Sequence, residues 1–298
     1  MEELQFVKNQ IKTFVQECND AKSLELLDLL ATGKMLRSKL ILKIAGINEE
    51  AIKLCAVVEM IHAASLLHDD VIDESDTRRG KPSVNALFDN KTAIMFGDVL
   101  YSKAFTELSQ MNPKIAYTIS NAVTLLSIGE MLDVDLTKEF NSNYDLYLDM
   151  IYKKTASLIE ASAKAAAILA QKDEEKYALY GKNLGLAFQM VDDILDITQD
   201  SSTLGKPAML DFVEGKVTIP YLFLHQRLDD KKTLESLYKK SLNEEEIAWI
   251  KEQMHRTKAL EDSILQAKNL GLEAIHVLKD ENSQDLIMIM KAMIEREF

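Results

Sequence analysis

Apolar residues recur at intervals of three and four along nearly the whole chain, as in KLILKIAG, EEAIKLCAVVEMIHAASLLHDD and YALYGKNLGLAFQMVDDILDI. That spacing follows the 3.6-residue turn of a helix, and no sustained alternation of period two competes with it. Only 10 glycines and 4 prolines occur in 298 residues, so a many-stranded fold would have to build its turns almost without their usual residues. The pattern predicts an all-α protein of about a dozen helices, with breaks near GINEE, RRGKPS, MNPK, FNSN, QKDEE and TQDSSTLGKPAM. These breaks are short and polar, and none is a Ser/Gly- or Pro-rich linker, which favours a single domain over residues 1–298.

Charge narrows the function classes. With 48 acidic and 35 basic residues the net charge is −13, which disfavours a generic nucleic-acid or anionic-membrane surface while leaving room for a local basic pocket. Cys18 and Cys55 stand far apart in apolar helical contexts and match no metal-ligand spacing; they are expected to be reduced core residues of a cytoplasmic protein. The start, MEELQFVKNQIKTF, lacks the basic-then-apolar order of a signal peptide. No run reaches about 18 uninterrupted apolar residues, so no membrane span is expected.

One theme occurs twice: an apolar helix ending in Asp-Asp-x-x-Asp. The first copy, SLLHDDVID, carries Asp69, Asp70 and Asp73; the second, FQMVDDILD, carries Asp192, Asp193 and Asp196. The outer pair of each copy lies four residues apart, on one helical face about one turn apart. Like charges at that spacing disfavour a helix, and apolar flanks raise the desolvation cost. A divalent cation relieves both penalties, and an all-oxygen donor set fits Mg²⁺. A solvated acidic helix end is the ordinary alternative for one copy, but two copies by chance are rare.

Basic residues cluster beside these acids. Arg78 and Arg79 follow the first motif in DESDTRRGKPS, Lys153 and Lys154 precede Thr155 in MIYKKTASL, and Lys206 and Lys216 follow the second motif. Upstream, GKMLRSKL offers Lys34 and Arg37, expected on one side of a helical turn. Singly, each reads as a solvated surface charge. Beside two metal motifs they describe a site for diphosphate, a ligand neutralised jointly by metal, guanidinium and ammonium groups. His62, seven residues before Asp69, can project toward the same cavity, whereas His68 points off that face. A structural role for His62 stays open. No Ser/His/Asp or Cys/His pattern, Walker loop, dinucleotide fingerprint or zinc spacing is present, and Asp133 and Asp135 in DVDLTKEF lack the framework of an EF-hand loop.

From GKMLR (residues 33–37) to GKVTIP (215–220) the chain resembles the trans-prenyltransferases, the polyprenyl diphosphate synthases, and among them the long-chain enzymes most. HDDVIDESDTRRGKPS and FQMVDDILD look like that family's two aspartate-rich motifs, in order and about 120 residues apart. The resemblance implies the all-α isoprenoid synthase fold around a deep central cavity, a homodimer, and condensation of isopentenyl diphosphate with an allylic prenyl diphosphate. By the same analogy Asp69, Asp73 and Asp192 would bind Mg²⁺, with Asp70, Asp193 and Asp196 as further or outer ligands. Arg78, Lys154, Lys206 and Lys216 would hold the allylic diphosphate, and Thr155 and Gln189 would line the site of the carbocation. Lys34, Arg37, His62 and Arg79 would bind isopentenyl diphosphate. One departure is visible: where the family often has Gly shortly after the loop start, GKPAMLD has Ala208 and Met209.

Product length is partly legible. The helix bearing the first motif places Ser65, Ile61 and Val58 successively deeper below Asp69. The family closes its cavity with aromatics four or five residues before the first Asp in short-chain enzymes; here those positions are the small residues Ser65 and Ala64, which implies a long-chain product. Small residues that merely allow close helix packing are the alternative at both positions. A short-chain farnesyl or geranylgeranyl synthase, a terpene cyclase, and a non-catalytic helical subunit stay open as functions. The Ala-rich KTASLIEASAKAAAILA, with SNAVTLLSIGEMLDVDL, could form a subunit interface or pack within one subunit.

Overall fold

The computed structural model describes residues 2–31, 33–199, 209–281 and 283–295. Among the described residues it holds sixteen α-helical segments, one π-helix and a single two-stranded hairpin. The chain divides into two compact units, Met1–Val123 with Ala161–Ala178 and Thr124–Glu160 with Leu179–Phe298, each division falling within a helix rather than in a linker.

The first unit is built on α1 (Glu2–Gln16), α2 (Ala21–Leu29), α3 (Leu36–Ala45) and the 24-residue α4 (Glu49–Ile72). Helix α4 begins where the Asn48 side chain accepts from the Ala51 N–H, with Glu49 and Glu50 complementing the helix dipole. Leu54, Val57, Val58, Ile61 and Ala64 on it are fully buried, so α4 is a central helix with apolar contacts around most of its circumference. It packs against α1, α3 and α6. After α4 come β1 (Thr77–Arg78) and β2 (Lys81–Pro82), then α5 (Val84–Leu87), α6 (Asn90–Leu108) and α7 (Pro113–Leu136). His68 lies against α6, its Nε2 3.1 Å from the Ile94 carbonyl, and Gly97 permits the approach because a side chain there would run into the imidazole.

The second unit contains α8 (Tyr144–Ile151), a π-helix (Tyr152–Ala156), the first turn of α9 (Ser157–Leu169), whose remainder from Ala161 belongs to the first unit, and α10 (Glu174–Thr198) from Leu179 onward. It continues with α11 (Leu210–Val213), α12 (Ile219–Arg227), α13 (Lys231–Leu237), α14 (Glu244–Arg256), α15 (Ala259–Val277) and α16 (Gln284–Ile294). Tyr147, Met190, Ile194, Phe212 and Tyr221 share its core, where Phe212 stacks on Tyr221 with ring centroids 4.3 Å apart. Helix α15 packs on α12, α14 and α16, and α14 starts with a reciprocal capping box between Asn243 and Glu246.

Three expectations change. The segment count exceeds a dozen because one-turn helices α5 and α11, and breaks near residues 17–20, 238–243 and 278–283, carry no Pro or Gly to announce them. Helices α4 and α7 are long and apolar enough to cross a membrane by length and composition, although neither is an uninterrupted apolar run; 61% of the relevant window of α4 and 39% of that of α7 is buried inside the protein. Both cysteines carry free thiols, but only Cys55 is a core residue; Cys18 is half-buried.

Candidate active site

In the first unit α4 delivers the first aspartate motif at its C-terminal end. Asp69 and Asp70 occupy its last turn, and Asp73 caps it, donating its N–H to the Asp69 carbonyl at 2.8 Å. The three carboxylates differ in environment: Asp73 is exposed, Asp69 half-buried and Asp70 buried. Asp70 Oδ1 accepts a hydrogen bond from Arg78 Nε at 2.6 Å. The hairpin makes this possible: Thr77 pairs with Pro82 and Arg78 with Lys81 across Arg79 and Gly80, both at positive φ (53° and 73°), which folds Arg78 back under the helix end. Burial pushes the Asp70 carboxyl up, and the Arg78 guanidinium draws it back.

The residues expected to hold isopentenyl diphosphate assemble in part. His62, half-buried on α4, is held well below the usual imidazole range by burial and then by the charges of Arg37, Arg79 and Arg78, so three cations surround it. Burial lowers Arg37 to about 10, with Glu59 acting in the opposite direction. Arg79 Nη1 donates to the Ala31 carbonyl at 3.0 Å, and its guanidinium lies where a side chain at Gly33 would stand. Lys34 corrects the sequence reading. Met35 takes a left-handed conformation (φ 48°) and α3 starts at Leu36, so Lys34 precedes the helix and does not share a helical turn with Arg37. Glu59, three residues before His62, was missed; it accepts from the Ser38 hydroxyl at 2.7 Å. Its signal was that it is the one acid inside α4 between Glu50 and Asp69. Val58, Ile61, Ala64 and Ser65 are all buried on α4, and the Ser65 hydroxyl donates to the His62 carbonyl at 2.9 Å.

In the second unit α10 carries the second motif, with Asp192 half-buried and Asp193 and Asp196 buried. Asp193 accepts from the Tyr147 hydroxyl at 2.6 Å on Oδ2 and from Gln189 Nε2 at 2.9 Å on Oδ1. Gln189 Oε1 in turn accepts from the Thr155 hydroxyl at 2.8 Å, so two expected site residues meet. The Asp193 carboxyl is pushed up to about 8, first by burial and then by the Asp211 charge, against the Tyr147 and Gln189 hydrogen bonds. Asp196 Oδ2 accepts from the Asp211 N–H at 3.2 Å, and its carbonyl from Met209 N–H at 2.9 Å. Met209 sits at φ 59°, a left-handed position of the kind that favours glycine.

Lys153, Lys154 and Lys216 are engaged. Lys154 reaches Asp133 Oδ2 at 2.5 Å and Glu130 Oε2 at 2.8 Å, both carboxylates being buried, and their charges raise its pKa against the effect of its own burial. Gly129 permits the contact, since a side chain there would collide with the Lys153–Lys154 backbone. Lys153 pairs with Asp149 at 2.5 Å and Lys216 with Glu214 at 3.1 Å. Lys206 and Ala208 lie outside the described residues. Tyr147, Glu130 and Asp133 were missed as site residues; the π-helix at Tyr152–Ala156 breaks the α-helical register on which any sequence link from Tyr147 to Thr155 would rest.

The donor chemistry fits Mg²⁺. Asp70 and Asp193 are buried and hydrogen-bonded, whereas Asp69, Asp73 and Asp192 are the members of the two motifs that retain exposure. Among the described residues no group of three or more His, Cys, Asp or Glu side chains forms a ready metal cage. That suits a cation that keeps several waters and takes one or two carboxylates plus substrate phosphates.

A family model described as "Polyprenyl synthetase" matches residues 23–254. Solanesyl-diphosphate synthase 1 of Oryza sativa is 36% identical over 247 residues, covering 80% of this chain and 57% of that protein. The chain thus spans a little over half the length of this relative. The short chain isoprenyl diphosphate synthase of Methanocaldococcus jannaschii is 37% identical over 260 residues, covering 82% of this chain and 79% of that one. Among solved structures, octaprenyl pyrophosphate synthase from Helicobacter pylori superposes with a TM-score of 0.93 at 44% identity, covering 99% of both chains.

Proposed function

The chain belongs to the polyprenyl synthetase family, and on that premise we propose that it is a Mg²⁺-dependent prenyltransferase. It joins isopentenyl diphosphate head-to-tail to an allylic diphosphate, with farnesyl diphosphate as primer, and makes a long-chain all-trans polyprenyl diphosphate for quinone side chains. The observation that carries the reading is the division of labour among six aspartates, in which Asp69, Asp73 and Asp192 stay accessible while Asp70 and Asp193 are held by Arg78 and Tyr147.

In this reading Arg78, Lys154, Lys206 and Lys216 hold the allylic diphosphate, and Lys34, Arg37, His62 and Arg79 hold that of isopentenyl diphosphate. Mg²⁺ on Asp69, Asp73 and Asp192 would supply charge neutralisation for the leaving diphosphate. The allylic C–O bond breaks, the isopentenyl double bond attacks the carbon left behind, and a proton departs from the adjacent carbon to the released diphosphate. Thr155 and Gln189 orient polar groups toward the cation, and apolar walls keep water away from it. No side-chain nucleophile is required.

Long-chain synthesis is supported by the small, buried Ala64 and Ser65 and by the names of the Helicobacter and rice relatives. The name of the Methanocaldococcus relative keeps short-chain synthesis as the second reading. We place the protein in the cytoplasm as a homodimer, with α7, whose Tyr117, Ile128, Met131 and Val134 are exposed, as the pairing face. Purified protein given isopentenyl and farnesyl diphosphates should yield long linear diphosphates by chromatography and stop when the metal is chelated. Turnover without metal, or no use of isopentenyl diphosphate, overturns the reading.

A further inference from the structure

We propose that Tyr147 is a positioning residue for the allylic diphosphate site, holding the second aspartate motif, Gln189 and the segment carrying Lys216 in one arrangement. The proposal rests on the functional reading above.

Helix α12 opens at Ile219, just after Thr218. A helix opens with N–H groups that have no intrahelical acceptor. Here Thr218 at the N-cap supplies no side-chain cap, and Pro220 has no N–H to satisfy. Ile219, the first residue of this helix, shares the buried core with Tyr147, and α12 packs on α8. Ile219 is three residues after Lys216, so this packing ties the GKVTIP segment to α8.

The Tyr147 hydroxyl donates its hydrogen to Asp193 Oδ2 at 2.6 Å. A phenol has one hydrogen to give, and Asp193 takes it. The ring is 1% exposed and Asp193 3%, so water does not compete for either group. Tyr147 also lines a recess it shares with Lys216, Thr218 and Asp133.

The consequence passes down the chain of bonds. Asp193 Oδ1 takes the Gln189 amide N–H, which fixes the amide orientation and turns Oε1 to the Thr155 hydroxyl. The Thr155 hydrogen is thereby committed, leaving its lone pairs for whatever occupies the site. Without the Tyr147 bond, Asp193 gains the freedom to turn toward a metal beside Asp192, and Gln189 and Thr155 lose their fixed orientation. Outer partners of this kind typically change metal affinity or activity by about 10–100-fold.

The test is calorimetric and needs no turnover. The full chain is titrated with unreactive farnesyl thiodiphosphate in Mg²⁺, and separately with isopentenyl diphosphate, as wild type, Tyr147→Phe, Asp193→Ala and the double variant, with thermal melts alongside. The expected result is about a tenfold weaker thiodiphosphate affinity for Tyr147→Phe, unchanged isopentenyl diphosphate affinity, and no further loss when Tyr147→Phe is added to Asp193→Ala. Wild-type thiodiphosphate affinity in Tyr147→Phe, equal losses for both ligands, or additive losses in the double variant overturn the proposal. Should Tyr147→Phe not fold, Asp193→Ala carries the test, and wild-type affinity there overturns it. A wild-type protein that binds no thiodiphosphate overturns the functional reading instead.

Discussion

Arg78 donates from Nε to Oδ1 of Asp70 at 2.6 Å, and this pair joins the hairpin to the end of α4. The Asp70 side chain is 5% exposed and that of Arg78 30%, so removing the arginine strands a carboxylate with little water to replace its partner. Arg78→Met should cost about 1–3 kcal/mol in urea unfolding at neutral pH, toward the lower end because Arg78 is partly solvated. The loss should shrink as pH falls, since a protonated Asp70 no longer needs a cation. A loss that is constant from pH 7 to pH 4 would show that the pair is not its origin.

His62 sets a pH dependence on the acid side. Its folded pKa lies well below the usual value, depressed by burial and then by Arg37, Arg79 and Arg78, so the unfolded chain binds a proton that the folded one refuses. Stability from this group is complete above about pH 6.5 and is lost as pH falls, at no more than about 1.4 kcal/mol per pH unit for one proton. His62→Asn should flatten the stability profile between pH 6.5 and 5, measured by chemical unfolding at each pH. An unchanged slope in the variant would assign the acid sensitivity elsewhere.

Ser65→Phe should shorten the product. Ser65 is 5% exposed on α4 below Asp69, so an added ring there would stand in the path of a chain growing along this helix. A stability cost of about 1–3 kcal/mol accompanies the change. Reversed-phase chromatography of the dephosphorylated product reads the outcome, and an unchanged carbon count removes Ser65 from the wall.

The two thiols should separate cleanly under a thiol reagent. Burial pushes Cys55 far up, while Cys18 is raised less and stays half-buried. One equivalent should react in the native protein, and the second only on unfolding. Two equivalents in the native state would mean that α4 opens locally around Cys55.

The helices and the two aspartate motifs were legible because both are written in spacing, the first in apolar periodicity and the second in a four-residue carboxylate interval. What spacing cannot express was missed. Lys34 and Arg37 have helical separation in sequence, yet the left-handed Met35 sets the helix start between them. Arg79 and Gly80 read as a break, but the hairpin that carries Arg78 to Asp70 is too short for an alternating pattern. Tyr147, Glu130 and Asp133 act through contacts 21 to 46 residues away along the chain, where no local pattern reports on pairing. The six aspartates looked equivalent in sequence; burial separates Asp70, Asp193 and Asp196 from Asp69, Asp73 and Asp192.

The π-helix at Tyr152–Ala156 carries a further implication for how such a site arises. A π turn is what an α-helix becomes when one residue is inserted and the flanking turns keep their packing. Lys153, Lys154 and Thr155 all lie within this stretch, together with the buried Ala156. Deleting one residue here should restore an unbroken α-helix and swing the Lys-Thr pair about 100° off its present direction. The segment thus converts a single residue of chain length into a change of heading.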